Sequence, residues 1–335
     1  MDKVNVRIKS LKAGWVASNL VVREGDVFSI SSFSTIANKL PKPWQAKYFL
    51  WFKIGENGQA ENLAFNDDYF SAKKSGEIFI AINLNGKLFW KNRMGKFSEE
   101  YDALPDSFID VNVKIINWVV EENFSSKLSD DENIDIAQSL LKNKKDKKKL
   151  PFGFQYIWEL GQGNIFEAFS EDNRSGVHAE TIDEAGIIKF PMDIALRQDT
   201  QIKFDWLYHR IAAVGSETLA HFHDYASIAV EFDNGQDITW FWSRDLEPMT
   251  FFRCPLSGWE KIETHIVLQS GTKGLGEWHS HERNLVDDYL MTVGGKLPKK
   301  IVGVWIIGNS VFQRQHGEAR FANIKIIGEK INFDI

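Results

Sequence analysis

Two short segments in the second half of the chain each carry a pair of histidines separated by one residue. They are His221-Phe222-His223-Asp224 and His279-Ser280-His281-Glu282. On a β-strand, residues i and i+2 point to the same face, so each pair can aim two imidazoles at one point. If the two strands are neighbours, four imidazoles meet in a site for a metal ion or for acid–base chemistry.

Two kinds of chemistry are open to these histidines, and the two segments supply the candidate catalytic residues. Imidazole binds Zn, Cu, Fe or Ni, with Asp224 or Glu282 as a ligand or as a partner that orients a ring. Without a metal, histidine acts as a general acid or base near neutral pH. Neither pair has further ligands at metal-motif spacing, so a transition-metal site competes with ordinary hydrogen-bonded histidines.

The chain is rich in aromatic residues, with 12 Trp and 25 Phe. Most large apolar side chains are buried in a core, but some indoles can form flat platforms for sugar rings or hydrophobic natural products. Trp240 and Trp242 alternate along one predicted strand and so share a face. The candidate ligand-binding residues are Trp240, Trp242, Trp278, Arg283 and Tyr289. Arg283 and Asp288 would equally form a buried ion pair that fixes the loop after Trp278.

Composition indicates a globular protein and limits its partners. The net charge of -6 argues against a nucleic-acid partner, because phosphate binding needs a basic surface. No apolar run is long enough to span a membrane, and residues 1–15 lack the apolar segment of a signal peptide. We expect a cytoplasmic protein, or one released by a non-Sec route, and a homo-oligomer is left open. Cys254, the single cysteine, is interpreted as a buried apolar residue.

The pattern of short alternating segments predicts an all-β chain of two antiparallel β-sandwich domains, of jelly-roll or lectin-like type. The first domain covers residues 1–120 and the second residues 151–335. A charged linker over residues 121–150 contains a predicted helix at Ile134–Leu141 and a run of lysines. Leu285–Val293 is predicted to be one helical turn or a bulged segment.

A spaced set of residues in the first domain resembles the bacterial galactophilic lectins of the PA-I type. The set comprises Trp15, Leu20, Val22, Gly25-Asp26-Val27, Ile30, Ser75-Gly76-Glu77-Ile78, Ile80, Ile82-Asn83 and Val111-Asn112-Val113. The resemblance implies a jelly roll that binds galactose through a bridging calcium, with Asn83 and Asn85 at the calcium segment. Leu84 stands where that family has an acidic ligand, so the alternative is a structural or interaction module without calcium.

A second set of residues resembles domain-of-unknown-function family 3047. The set comprises Asp224, Ser227-Ile228-Ala229-Val230, Trp240, Trp242, His265-Ile266-Val267-Leu268, Trp278, Arg283-Asn284, Asp288-Tyr289, Gly303-Val304-Trp305-Ile306-Ile307, Phe321 and Asn323-Ile324. The resemblance implies a β-sandwich of the carbohydrate-binding or lectin-like sort, without an established activity. That family normally has acidic residues where this chain has His221 and His223, so these histidines are a departure.

Three functional hypotheses follow from these patterns. The first is carbohydrate or glycoconjugate binding by a soluble bacterial lectin-like protein. The second is an enzyme, of hydrolase, cyclase or lyase type, that acts on a glycan or small metabolite at a histidine-rich site in the second sandwich. The third is an assembly protein without a small ligand. Nothing in the sequence decides whether the protein is catalytic.

Overall fold

The computed structural model describes residues 2–9, 14–36, 44–63, 69–82, 110–118, 148–160, 164–171, 173–256 and 259–335. Regular structure in these residues is almost entirely β-strand, which confirms the all-β prediction. The chain divides into two compact units, Met1–Lys147 with Leu160–Gln162, and Lys148–Glu159 with Gly163–Ile335. The predicted linker helix at Ile134–Leu141 and the calcium segment with Asn83 and Asn85 lie outside the described residues.

The first unit contains ten described strands in antiparallel pairs. They are β1 (Asp2–Ile8), β2 (Val16–Val22), β3 (Val27–Ser31), β4 (Thr35–Ile36), β5 (Trp44–Gln45), β6 (Leu50–Ile54), β7 (Glu61–Asn62), β8 (Tyr69–Ser71), β9 (Gly76–Ile82) and β10 (Val111–Asn117). One sheet has the order β1-β10-β3-β8, a second has the order β2-β9-β6-β7, and β4 pairs with β5. Phe28 of the first sheet lies 5.6 Å from Phe52 of the second, measured between ring centroids, so the two sheets pack face to face.

The second unit contains thirteen described strands and one α-helix. They are β11 (Gln155–Leu160), β12 (Phe166–Glu171), β13 (Arg174–Ile182), β14 (Ala185–Ala195), β15 (Gln201–Arg210), β16 (Tyr225–Phe232), β17 (Asp237–Ser243), β18 (Phe251–Arg253), β19 (Glu263–Ser270), β20 (His279–Asn284), α1 (Leu285–Thr292), β21 (Lys300–Asn309), β22 (His316–Gly328) and β23 (Ile331–Asp334). A seven-stranded sheet has the order β11-β14-β21-β16-β17-β19-β18, and a six-stranded sheet combines β12-β13-β22-β15-β20 with β23. Among the pairs whose register is described, only β17 and β19 run parallel.

Alternation along β17 explains how these two sheets pack. Trp240 and Trp242 point into the core between the sheets, where Trp242 lies 5.4 Å from Tyr208 of the six-stranded sheet. Because side chains alternate, Phe241 points to the opposite face and packs in a second apolar cluster with Tyr225. The seven-stranded sheet is therefore covered on both faces. We call the face that carries Phe241 and Tyr225 its outer face.

Helix α1 is longer than the sequence pattern predicts. It has eight residues instead of a single turn, and Asn284 caps it by accepting hydrogen bonds from the backbone N–H groups of Val286 and Asp287. Such a cap satisfies donors that the first helical turn leaves free. In the described part of the chain, no helix is both long and apolar enough to cross a membrane.

Candidate functional site

Four buried polar side chains meet on the outer face of the seven-stranded sheet. They are His223, Cys254, Glu263 and His265, and one potential ligand atom of each lies within 4.8 Å of the others. All four side chains are almost completely buried. We refer to these four residues as the buried cluster.

Strand register brings three members of the buried cluster together. In the antiparallel pair β18–β19, Phe252 lies opposite His265. Two residues after Phe252, directly beyond the end of β18, the backbone N–H of Cys254 donates to the carbonyl of Glu263 over 3.1 Å. Since Glu263 and His265 are two residues apart on a strand, they share one face of the sheet.

The fourth member, His223, comes from the segment before β16 and not from a strand. A 3-10 turn occupies Ala220–Phe222, and the strand begins only at Tyr225. The prediction that His221 and His223 lie on a β-strand is therefore wrong. The side chain of His221 lies outside the described part of the structure.

Hydrogen bonds fix the tautomer and orientation of His223. Its Nδ1 lies 2.8 Å from the carbonyl oxygen of Glu217, and a carbonyl only accepts, so Nδ1 carries the proton. In the neutral ring, Nε2 then presents its lone pair, and it lies 3.5 Å from Sγ of Cys254.

His265 is held by packing instead. Its ring stacks on Phe252 with an interplanar angle of 8° and a centroid separation of 5.1 Å. Neither ring nitrogen makes a hydrogen bond, although Nε2 lies 3.5 Å from Oε1 of Glu263. A buried imidazole in which neither nitrogen is hydrogen-bonded is uncommon, because buried polar groups in proteins normally have a hydrogen-bond partner.

Burial controls the electrostatics of the cluster. It lowers the pKa of His223 to about 3, because the imidazolium form loses its hydration. It also raises the pKa of the Cys254 thiol well above its usual value. Burial would raise the pKa of Glu263, but the neighbouring imidazoles of His265 and His223 lower it below its usual range. The carboxylate of Glu263 also accepts a hydrogen bond from the Tyr225 hydroxyl at 3.2 Å.

The second predicted histidine pair lies on β20 in the six-stranded sheet, and its two rings do share a face. The ring of His279 lies 5.1 Å from Trp242, and that of His281 lies 4.4 Å from Trp206. Among the described residues, groups of three or more His, Cys, Asp or Glu ligand atoms occur in two places, and neither includes this pair. The structure therefore does not bring His279 and His281 together with His223.

The other predicted catalytic residues have separate surroundings. Asp224 is buried and accepts hydrogen bonds from the backbone N–H groups of Phe312 and Gln313, each at 3.0 Å. Burial raises the pKa of Asp224 to about 7. Glu282 is exposed and pairs with Lys203 at 2.6 Å. In this structure Asp224 anchors a loop, and Glu282 belongs to a surface ion pair.

Four of the five predicted ligand-binding residues serve the interior of the second unit. Trp240 and Trp242 are buried, so their ring faces cannot meet a ligand unless the sandwich opens, which corrects the expectation of a platform there. Arg283 forms a two-pronged ion pair with Asp288, as one of the two sequence interpretations expects. Tyr289 is also buried, and its hydroxyl accepts a hydrogen bond from Asn234.

Trp278 differs from these four because it is partly exposed, on the side of the six-stranded sheet that faces away from the core. Its ring stacks on Phe169 at 6.0 Å and 26°, and the guanidinium of Arg174 lies 4.9 Å from its centroid. Asp205 lies beside these rings and accepts hydrogen bonds from Ser280 at 2.6 Å and from the side-chain amide of Asn323 at 2.7 Å. We call the set Phe169, Arg174, Asp205, Trp278, Ser280 and Asn323 the aromatic patch.

Strand pairing and a local shift in register bring the residues of the aromatic patch together. Phe169 pairs with Gly176, Gly176 with Ala322, and Ala322 with Asp205, so small residues lie across the sheet between the two larger ones. Asn323 has φ 52°, and the register between β15 and β22 shifts beside it. A shift of this kind redirects side chains, and here the Asn323 amide reaches Asp205.

A row of paired histidines and carboxylates lies further along the same outer surface of the six-stranded sheet. His178 contacts Glu167 at 3.0 Å and Glu318 at 3.3 Å, and His316 contacts Glu180 at 3.0 Å. Glu180, His316 and Glu318 form the second group with metal-ligand spacing. These side chains are partly exposed, and their partners are each other and Lys148.

Sequence reasoning assigned no functional role to Cys254, Glu263 or His265, and of the aromatic patch it proposed only Trp278 as a ligand-binding residue. The Glu-x-His spacing of Glu263 and His265 on a predicted strand is a signal that could have found half of the buried cluster. Phe169, Arg174 and Asp205 carry no such signal, because their proximity depends on the order of strands in the sheet.

Several solved structures are similar to part of the chain. The xyloglucanase domain of NopAA, a type three effector from Sinorhizobium fredii, is 10% identical with a TM-score of 0.32, covering 48% of this chain and 86% of that one. The family 11 carbohydrate-binding module of cellulase Lic26A-Cel5E from Clostridium thermocellum is 15% identical with a TM-score of 0.29, covering 55% and 92%. The family 12 xyloglucanase from Bacillus licheniformis is 10% identical with a TM-score of 0.32, covering 55% and 97%. Values this low transfer neither a substrate nor a reaction.

Sequence comparison places the second unit in a family. No curated protein matches the chain. The family described as "Protein of unknown function (DUF3047)" matches residues 156–325, slightly more than half of the chain and nearly all of the second sandwich. The chain therefore belongs to the DUF3047 family.

Proposed function

We propose that the second unit binds carbohydrate at the aromatic patch on the six-stranded sheet. The observation that carries this proposal is the partly exposed, stacked pair Trp278 and Phe169 beside the hydrogen-bonding group centred on Asp205. The family match and the sandwich fold are compatible with this role but do not supply it.

The chemistry of the patch suits a sugar. A sugar ring has an apolar face, which stacks on aromatic rings, and an edge of hydroxyl groups, which need donors and acceptors. The patch offers both kinds of surface within a few ångströms. Asp205 supplies an acceptor, and Arg174 and Asn323 supply donors.

The polar part of the patch is organised before a ligand arrives. Asp205 accepts hydrogen bonds from the hydroxyl of Ser280 and from the side-chain amide of Asn323. Groups held in place by one another lose little conformational freedom on binding, which favours affinity.

Arg174 lies over the Trp278 ring, where a sugar would stack. A cation–π contact at an exposed site is worth only about 0.5–1 kcal/mol. An incoming sugar ring can therefore displace the guanidinium at little cost, and the displaced group remains close enough to bond a hydroxyl.

The other sequence-based hypotheses have less support. A catalytic site built from both histidine pairs requires them to meet, and in the described structure they do not. A calcium-dependent galactose site of the PA-I type in the first unit remains a separate prediction, because Asn83 and Asn85 lie outside the described residues.

The test is binding of the full chain to an oligosaccharide array and to soluble xyloglucan, mixed-linkage β-glucan and galactan. We expect Trp278→Ala to reduce the affinity for any bound glycan at least about tenfold, the scale of losing one stacked aromatic contact. Phe251→Ala is the matched control, since Phe251 is an exposed aromatic residue on the seven-stranded sheet. It should bind as the unaltered chain does.

Two outcomes would overturn the proposal. One is the absence of binding to every glycan tested. The other is binding that Trp278→Ala and Asp205→Ala leave unchanged while a calcium chelator abolishes it, which would place the sugar site in the first unit.

A further inference from the structure

We propose that His223, Cys254, Glu263 and His265 bind one zinc ion in a closed, tetrahedral, structural site. This inference is independent of carbohydrate binding, because the buried cluster and the aromatic patch lie on different sheets of the second unit. It assigns a ligand to a group of side chains that the proposed function does not use.

The ligand types select zinc. Two imidazole nitrogens, one thiolate sulfur and one carboxylate oxygen are the donors that zinc uses in proteins, whereas calcium and magnesium take oxygen ligands almost exclusively. Four protein donors complete a tetrahedron and leave no open position for a substrate, which is the mark of a structural site.

The spacing of the donors is close to that of a zinc tetrahedron. With Zn–N of about 2.0–2.1 Å and Zn–S of about 2.3 Å, adjacent ligand atoms lie roughly 3.3–3.6 Å apart. Nε2 of His223 and Sγ of Cys254 are separated by 3.5 Å, and so are Nε2 of His265 and Oε1 of Glu263. The remaining pairs all lie within 4.8 Å, so small side-chain movements close the tetrahedron.

The groups around the cluster orient its ligands. Metal-binding histidines commonly donate their other ring N–H to a carbonyl, and Nδ1 of His223 does so to Glu217. Phe252 fixes the plane of His265 by stacking. The Tyr225 hydroxyl donates to Oε1 of Glu263 at 3.2 Å. These contacts fix the positions of the ligand side chains.

Charge balance favours a divalent cation here. When zinc binds, the Cys254 thiol releases its proton to solvent and becomes a thiolate, while Glu263 is already a carboxylate. The two negative charges neutralise the ion, and both histidines coordinate it as neutral imidazoles. An uncompensated charge in a buried site is costly, so a neutral zinc complex suits this interior.

The proposed zinc would connect three parts of the second unit. His223 precedes β16, Cys254 follows β18, and Glu263 and His265 lie on β19. The short strand β18, at the edge of the seven-stranded sheet, would thereby be fastened to the loop that precedes a central strand.

The experiment uses the full chain, with Zn²⁺ and Co²⁺ as probes. Protein stripped with a chelator and dialysed against Zn²⁺ should retain about one ion per chain by elemental analysis, as a closed four-ligand site does. Co²⁺ should give the intense visible spectrum of tetrahedral cobalt with a thiolate-to-metal charge-transfer band. Added zinc should raise the unfolding temperature, because it binds only the folded chain.

Single-residue variants test which side chains bind the metal. We expect Cys254→Ser to lose the charge-transfer band, and His265→Gln to lose most of the bound zinc. His316→Gln is the matched control, because His316 belongs to the partly exposed group with Glu180 and Glu318. It should keep both the stoichiometry and the spectrum.

Two results would overturn the proposal. One is unaltered protein that retains no zinc and shows no tetrahedral cobalt spectrum, and this result does not depend on whether a variant folds. The other is zinc binding that His316→Gln abolishes and Cys254→Ser leaves intact.

Discussion

Sγ of Cys254 lies 3.5 Å from Nε2 of His223 inside the second unit, in the relation of a neutral thiol to a neutral imidazole. Burial lowers the pKa of His223 to about 3 and raises that of Cys254, so proton transfer to form a thiolate–imidazolium pair is disfavoured. A cysteine paired with histidine is a nucleophile only when the thiolate forms and is accessible. This pair is therefore not arranged for nucleophilic catalysis.

The first prediction follows from that protonation state. Cys254, the single cysteine of the chain, should not react with a thiol reagent at pH 7 in the folded, chelator-treated protein, because only the thiolate reacts and the side chain is buried. In urea it should react to completion. The measurement is the time course of labelling in both conditions, and Cys254→Ala supplies the blank. Complete labelling of the folded chain within minutes would contradict this prediction.

The second prediction concerns Asp288, which connects the helix to the core. Its carboxylate receives two hydrogen bonds from Arg283 and one, at 2.9 Å, from the indole N–H of Trp240. Asp288→Ala leaves a buried indole donor without an acceptor and a partly buried guanidinium without its counter-charge. We expect a loss of about 3 kcal/mol in the free energy of unfolding, measured by urea denaturation.

A surface ion pair provides the control for this effect. Lys203 and Glu282 lie 2.6 Å apart, and both side chains are more than 40% exposed. Glu282→Gln should change the free energy of unfolding by less than about 1 kcal/mol. If Asp288→Ala costs no more than Glu282→Gln, the Asp288 contacts do not stabilise the fold.

The sequence predicts the strands of the second unit because alternation is a local property. The predicted strand that carries Trp240 and Trp242, for example, is observed as β17, Asp237–Ser243. Alternation also indicates that Trp240 and Trp242 share a face. Alternation does not predict whether that face is exposed to solvent. The strand β17 is covered on both sides, and a strand that is buried on both faces lacks the polar side chains that would identify a solvent-exposed face.

The buried cluster escapes prediction for a different reason. Cys254 and His265 are eleven positions apart and meet through the pairing of β18 with β19, while β19 itself pairs in parallel with β17. A strand of three residues gives little periodic signal, and a parallel pairing depends on contacts that are distant in sequence. Glu263 and His265 alone are close enough in sequence for their shared face to be inferred.

The third prediction separates the two roles of tryptophan in the second unit. Trp242 is buried against Tyr208, so Trp242→Ala leaves a large cavity and should lower the free energy of unfolding by about 3–5 kcal/mol. Trp278 is partly exposed, and Trp278→Ala should cost clearly less. Urea denaturation followed by circular dichroism measures both. Equal losses would mean that Trp278 supports the fold as Trp242 does and is not available to a ligand.

The fourth prediction concerns pH and rests on His281. Burial, followed by the positive charges of His279 and Arg283, lowers the pKa of His281 to about 4, and the Asp205 carboxylate acts in the opposite direction. In the unfolded chain the pKa of histidine is about 6.5. Between these values the unfolded chain binds the proton more tightly, so the stability present above about pH 6.5 is lost as the pH falls towards 4.

Replacing His281 by Gln should remove the pH-dependent stability that arises from this ring. As the pH falls below 6.5, the free energy of unfolding of the variant should therefore decrease less steeply than that of the unaltered chain. The difference in slope should approach about 1 kcal/mol per pH unit, less than one full proton because the ring is only half-buried. Asp224, whose burial raises its pKa to about 7, acts in the opposite direction, but it is present in both proteins and cancels. His209→Gln, at an exposed position, is the control and should follow the unaltered chain. Parallel profiles for all three proteins would show that His281 is as readily protonated in the folded chain as in the unfolded one.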